Sequence, residues 1–85
     1  METFQIKMKP EAEKQLTKYD REIQVRFAKK IRKLKENPDC CGKPLKRPLH
    51  GYWELYFERK FRIVYTIDLN DKIVCIEAIK HKDKF

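Results

Sequence analysis

Glycine is scarce in this chain: Gly42 and Gly51 are the only two among 85 residues. Both fall in one segment, so the rest reads as regular structure joined by short links. Together with abundant Lys, Glu and Ile, this scarcity resembles thermophile usage. Long apolar runs are missing as well. None approaches the roughly 20 residues of a membrane span, and the N-terminus does not read as a signal sequence. The expectation is a soluble cytoplasmic protein with no membrane partner. Cysteine is limited to Cys40, Cys41 and Cys75. Adjacent Cys40 and Cys41 are poorly placed to pair with each other, so free intracellular thiols are expected. There is no C-x-x-C pair, and His50 and His81 are the only histidines. A zinc site needs more ligands than this, so no metal and no cofactor are expected. Repeats and low-complexity segments are also absent.

Negative charge is in short supply. Thirteen acidic residues face twenty-one basic ones, a net charge of +8, with a pI of about 9.5. Charged residues make up 40% of the chain, above the usual share of roughly 25%. An excess of this size fits a polyanionic partner or simply a well-solvated surface. At 41% hydrophobic and 12% aromatic the chain can fold, and its length predicts one domain spanning residues 1–85. Its core should be modest, because a domain this small buries only roughly 60–65% of its unfolded surface.

The pattern along the chain predicts two helices between strands. Residues 4–8, FQIKM, alternate apolar and polar like a short strand. Pro10 suits a first helical turn, with Glu11 and Glu13 at the positive helix end, and a helix is expected over 10–19. Asp20 is placed to cap a second helix. There Ile23, Phe27, Ile31 and Leu34 form one apolar stripe. The other side carries Arg21, Arg26, Lys29, Lys30, Arg32, Lys33 and Lys35, either as a solvated face or in contact with phosphates. Asn37-Pro38 ends that helix. Residues 37–51 then read as a long loop, of the kind that is often functional, holding Lys43, Lys46, Arg47 and His50.

Three strands are predicted next, at about 52–58, 61–67 and 72–80. Their short links favour antiparallel neighbours. The fold class is α+β: a helical hairpin packed on one face of a small, mainly antiparallel sheet, in the order β-α-α-β-β-β. Alternation groups Phe61, Ile63, Tyr65 and Ile67 on one side of their strand, and Arg62, Val64 and Thr66 on the other. The first group is the better core, so Arg62 should point to the uncovered face, alone or paired with a strand neighbour such as Glu54 or Glu77.

The stretch "PLKRPLHGYWELYFERKFRIVYTI", followed by "AIKHKD", resembles the RelE/ParE toxin superfamily. That family has a Gly-aromatic-Trp segment, an aromatic-Arg-aliphatic-Val-Tyr strand and an Ala-Ile-Gly-His-Arg-like tail. The resemblance implies the toxin of a type II toxin–antitoxin pair, bound and neutralised by a usually acidic, RelB-like antitoxin. RelE and YoeB branches cut messenger RNA, typically on the ribosome, whereas the ParE branch inhibits DNA gyrase. The leading expectation is a metal-independent, ribosome-dependent mRNA endoribonuclease. The alternatives are a gyrase inhibitor, or a degenerate toxin that only binds its antitoxin.

Cleavage of this kind uses the ribose 2′-hydroxyl to attack the neighbouring phosphorus. It needs a base for the 2′ proton, a cation for the phosphate and an acid for the leaving 5′ oxygen. By resemblance Arg62 falls on the phosphate-contacting arginine, and His81 on a catalytic histidine of the YoeB branch. Lys82 falls near a second catalytic arginine, and Phe85 near a tyrosine that stacks or donates a proton. Lys46 matches a basic loop residue that contacts RNA, and Arg47 replaces a usual glycine. The departures concern the base. The RelE lysine pair aligns with Trp53 and Leu55, and Lys43 stands near the YoeB glutamate. Glu54, on the neighbouring strand, is the candidate substitute, or else a sheet ion-pair partner. Arg62, His81, Lys82 and Glu54 are thus the catalytic candidates, with Lys43, Lys46, Arg47 and Phe85 as RNA contacts.

Overall fold

The computed structural model describes residues 3–38, 42–45 and 51–81. In chain order these form β1 (Gln5–Met8), α1 (Pro10–Thr17), α2 (Arg21–Glu36), β2 (Lys43–Pro44), β3 (Trp53–Phe57), β4 (Phe61–Asp68) and β5 (Ile73–His81). The strands make one sheet in the order β1-β5-β4-β3-β2. β1 pairs with β5 in parallel, and the other pairs are antiparallel. Residues 43–44 are therefore not loop, as the sequence pattern suggested, but a short edge strand against Trp53 and Glu54. A two-residue strand is too short to show alternation, so nothing in the pattern marked it.

Pro10 opens α1 with its fixed φ and missing N–H, and Glu11 and Glu13 lie in the first turn. This helix ends at Thr17, before the expected Tyr19, because the Lys18 and Tyr19 amides turn back onto the Gln15 and Leu16 carbonyls respectively. Asp20 holds the cap position of α2 with extended dihedrals, but its side chain makes no capping hydrogen bond. Instead the Gln24 side chain donates to the Tyr19 carbonyl at 3.0 Å.

The expected apolar stripe of α2 faces the sheet, as does Ala12 of α1. Ala12, Phe27, Ile31 and Leu34 are buried beneath Leu55, Phe57, Phe61, Ile63, Tyr65, Val74, Ile76 and Ile79. Tyr19 packs edge-on against Phe61 with ring centroids 4.7 Å apart. Trp53 lies at the margin of this core, stacked on Tyr65. The fully buried Tyr65 donates its hydroxyl proton to the Pro38 carbonyl at 2.8 Å, which fastens the end of α2 to the sheet.

Two links and one irregularity set the register. Asp68 turns the chain by accepting hydrogen bonds from the Asn70 and Asp71 amides through Oδ1. Between β3 and β4, Glu58 and Arg59 both adopt positive φ, 51° and 60°. That is the hairpin turn whose twist matches paired strands, here built without glycine. In β5, the ladder to β4 slips by one residue. Val64 faces Ala78 while Tyr65 faces Ile76, so Glu77 is an extra residue at a β-bulge. The slip lets Ile76 and Ile79 both enter the core although three positions separate them.

Candidate active site on the open sheet face

The face away from the helices is where the polar candidates meet. Residues directly opposite one another in antiparallel strands share a face. Tyr56 lies opposite Arg62, Glu54 opposite Val64, and Lys43 opposite Glu54. On the far side of β4, Lys80 lies opposite Arg62, and Ala78 opposite Val64. Arg62 is thus on the open face, as alternation predicted, with its neighbours Phe61 and Ile63 buried on the other.

Arg62 and Glu54 are ion partners. The Arg62 Nε lies 2.6 Å from Glu54 Oε2, and these two atoms are closed off from solvent. The side chains keep 27% and 17% exposure, so another molecule can reach the pair. A recess of about 220 Å³ opens beside Arg62, lined by Leu45, Tyr52, Arg62, Val64, Ala78 and Lys80. Lys80 is exposed within that lining, and Lys43, also exposed, lies opposite Glu54 on the same face. Charges on this patch come from Arg62, Lys43 and Lys80 against the single carboxylate of Glu54, so it is net cationic. A guanidinium is always charged and can grip two oxygens at once. A carboxylate beside it is a proton acceptor within reach of the same bound group.

A second polar cluster lies further along this face. Glu77, pushed outward by the bulge, contacts Lys9 Nζ at 2.8 Å and accepts from Thr66 Oγ1 at 3.3 Å. Burial works to raise the Glu77 pKa, but hydrogen bonds from Lys9, Cys75 and Thr66 outweigh it and hold the carboxyl below its ordinary value. Burial, with Glu77 alongside, pushes the Cys75 thiol up. Cys75 is a free thiol. Among the described residues no group of three or more His, Cys, Asp or Glu is arranged to hold a metal ion, and no helix is long and apolar enough to cross a membrane.

His81, a catalytic candidate by resemblance, is not part of the Arg62 surface, so these two candidates do not share a face. It lies opposite Phe61, its ring edge-on to that core phenylalanine at 5.3 Å. It borders a hollow on the helix side with Gln15, Lys18 and Tyr19. The cause is the bulge: unbroken alternation from Val74 and Ile76 would send His81 to the open face, and the extra residue reverses every side chain after it. The same reversal brings Lys80 out beside Arg62. Sequence reasoning missed Lys80, and a signal was available. Two isoleucines three positions apart cannot both be core in a regular strand. Lys82, Lys46, Arg47 and Phe85 lie outside the described residues, as do Cys40, Cys41 and His50.

Comparison with known proteins agrees with this architecture. The profile of a family described as the ParE toxin of the type II toxin–antitoxin system parDE matches residues 6–84. A RelE4 toxin of Methanocaldococcus jannaschii is 28% identical over 83 residues, covering 94% of this chain and 87% of that protein. Among solved structures, the toxin–antitoxin complex RelBE2 of Mycobacterium tuberculosis is similar with a TM-score of 0.87 and 25% identity, covering 96% of this chain and 94% of the other. The archaeal RelE–RelB complex of Pyrococcus horikoshii OT3 shares the fold at a TM-score of 0.78 and 17% identity, covering 98% and 99%. Two helices on one face of a five-stranded, mostly antiparallel sheet are thus the RelE-like fold. This chain belongs to the ParE toxin family, within the RelE/ParE superfamily of type II toxin–antitoxin toxins.

Proposed function

We propose that this toxin is a metal-independent endoribonuclease that cuts messenger RNA on the ribosome, in the cytoplasm, and is neutralised by a cognate RelB-like, acidic antitoxin. The observation that carries this reading is the contact between Arg62, which lines the open-face recess, and Glu54 beside it. A phosphate entering the recess competes with Glu54 for the Arg62 guanidinium. As the guanidinium turns to the phosphate oxygens, the carboxylate becomes available to the adjacent ribose. Glu54 then takes the 2′ proton, and the 2′ oxygen bonds to phosphorus. The bond to the 5′ oxygen breaks, and that oxygen takes a proton from water. Arg62 balances the charge that builds on the phosphate. Glu54 thereby fills the base position that Trp53 and Leu55 cannot. The net charge of +8 and the similarity to RelB-bound complexes support an acidic antitoxin as partner.

The match to a ParE family profile favours a second reading, inhibition of DNA gyrase without bond cleavage. Primer extension on messages after brief expression separates the two. Discrete breaks within translated codons, lost in Arg62→Ala and Glu54→Gln, support the nuclease. Intact messages with loss of negative supercoiling support the gyrase inhibitor. Neither effect, with antitoxin binding retained, leaves a toxin that only binds.

A further inference from the structure

Besides Arg62, the recess is lined by residues that the cleavage step above does not use. Its floor is apolar, formed by Val64 and Ala78, with Leu45 at one side. Tyr52, 37% exposed, contributes an aromatic wall. Leu45 and Tyr52 are tied together by the Leu45 amide, which donates to the Tyr52 carbonyl at 2.8 Å. That bond extends the β2–β3 pairing and steadies the wall. Across β4 from this wall stands Lys80, exposed and opposite Arg62 in the ladder. Side chains opposite each other across such strands have Cβ atoms roughly 4.5–5.5 Å apart, close enough for two cations to share one anion.

Charge decides why the second cation matters. Arg62 and Glu54 cancel as a pair, so a phosphate approaching them meets little net attraction. Lys80 adds a positive charge with no carboxylate opposite it in the ladder. A lysine stem can lie along apolar surface while its ammonium stays in water, and Lys80 lines the recess together with Val64 and Ala78.

We propose that the recess is a seat for one nucleotide of a single-stranded RNA, resting on the nuclease reading above. Tyr52 stacks on the base, and Lys80 joins Arg62 on the backbone phosphate. The occupant is a nucleic-acid strand because aromatic wall, apolar floor and paired cations occur together. Stacking on a ring is tolerant of sequence, while the cations follow the backbone. An acidic peptide matches the cations but brings no base to stack on Tyr52.

The test separates binding from cutting. A fluorescein-labelled 2′-fluoro oligonucleotide lacks the attacking hydroxyl and cannot be cut, and its anisotropy reads affinity directly. Lys80→Gln should weaken binding about tenfold and reduce the slope of log affinity against log salt by about 0.7, the value for one phosphate contact on a single strand. Lys80→Arg should retain affinity and slope. Tyr52→Ala should weaken binding about 5- to 150-fold, the range for one lost base stack, and Tyr52→Trp should restore it. Lys33→Gln on α2 serves as the control for general charge. The seat is refuted if Lys80→Gln behaves like Lys33→Gln, if Tyr52→Ala binds like wild type, or if wild type does not bind at low salt. Should the oligonucleotide respond as described while wild type cuts no message, the seat stands and the nuclease reading falls.

Discussion

Removing Arg62 tests whether the pair with Glu54 serves stability or chemistry. An exposed ion pair contributes about 0–1 kcal/mol, whereas breaking a buried one by removing a single partner costs about 3–5 kcal/mol. The Arg62–Glu54 pair lies between these limits, with contacting atoms closed to solvent and side chains 27% and 17% exposed. Arg62→Ala should therefore cost about 1–3 kcal/mol, chiefly by leaving Glu54 without its ion partner. A domain of 85 residues has roughly 4–13 kcal/mol of stability in all, so the variant remains folded. The double variant Glu54→Gln/Arg62→Met removes both charges of the pair and should regain most of the loss. Activity should follow a different course. Loss of a charge-stabilising donor lowers the rate about 10²–10³-fold, and loss of a general base about 10²–10⁴-fold. Urea midpoints and cleavage rates for wild type, both single variants and the double variant form one cycle. Stability that recovers in the double variant while cleavage stays lost is the expected outcome. An Arg62→Ala protein that unfolds, or that cuts as fast as wild type, would refute the placement of this pair.

Three other perturbations reach the frame around the site. Gly42→Ala should lower the urea midpoint by an amount equal to about 1–3 kcal/mol, since an added Cβ meets the Tyr65 hydroxyl and lies 2.8 Å from the Glu54 backbone carbonyl. An unchanged midpoint would show that β2 can move aside. Arg59→Gly should raise stability by up to about 1 kcal/mol, because Arg59 sits at φ 60° where a side chain is strained. A lower melting temperature would contradict it. Glu77 contributes a pH dependence. Its folded pKa lies below the unfolded value, so the unfolded state binds more protons as pH falls. The stabilisation is fully present above the ordinary carboxylate range and is lost as pH drops through the folded pKa. Urea midpoints across that acid range should fall less steeply for Glu77→Gln than for wild type.

The helical hairpin, the order of the long strands and the side of Arg62 were legible because each rests on a repeated pattern. Ile23, Phe27, Ile31 and Leu34 recur along a helix, and Phe61, Ile63 and Tyr65 alternate along a strand. Lys43–Pro44 was hidden because a strand of two residues has no period to detect. The face of Glu54 needed the pairing with Val64, a contact between segments that composition cannot reveal. His81 shows how far one residue can carry an error. The tail motif identified it, but the bulge at Glu77 turned it toward Phe61 and gave its place on the open face to Lys80. The absence of a capping bond at Asp20 has a similar origin, since the side chain of Gln24 meets the Tyr19 carbonyl and steadies the turn instead.

The open sheet face is most directly tested by the purified toxin acting on ribosomes that hold a defined message. A break within the codon is expected, leaving a 2′,3′-cyclic phosphate and a 5′-hydroxyl. It should persist when a chelator removes free divalent ions after ribosome assembly, and vanish with Arg62→Ala or Glu54→Gln. An uncut message, or one cut equally well by both variants, would contradict the assignment of a cation and a base to this face.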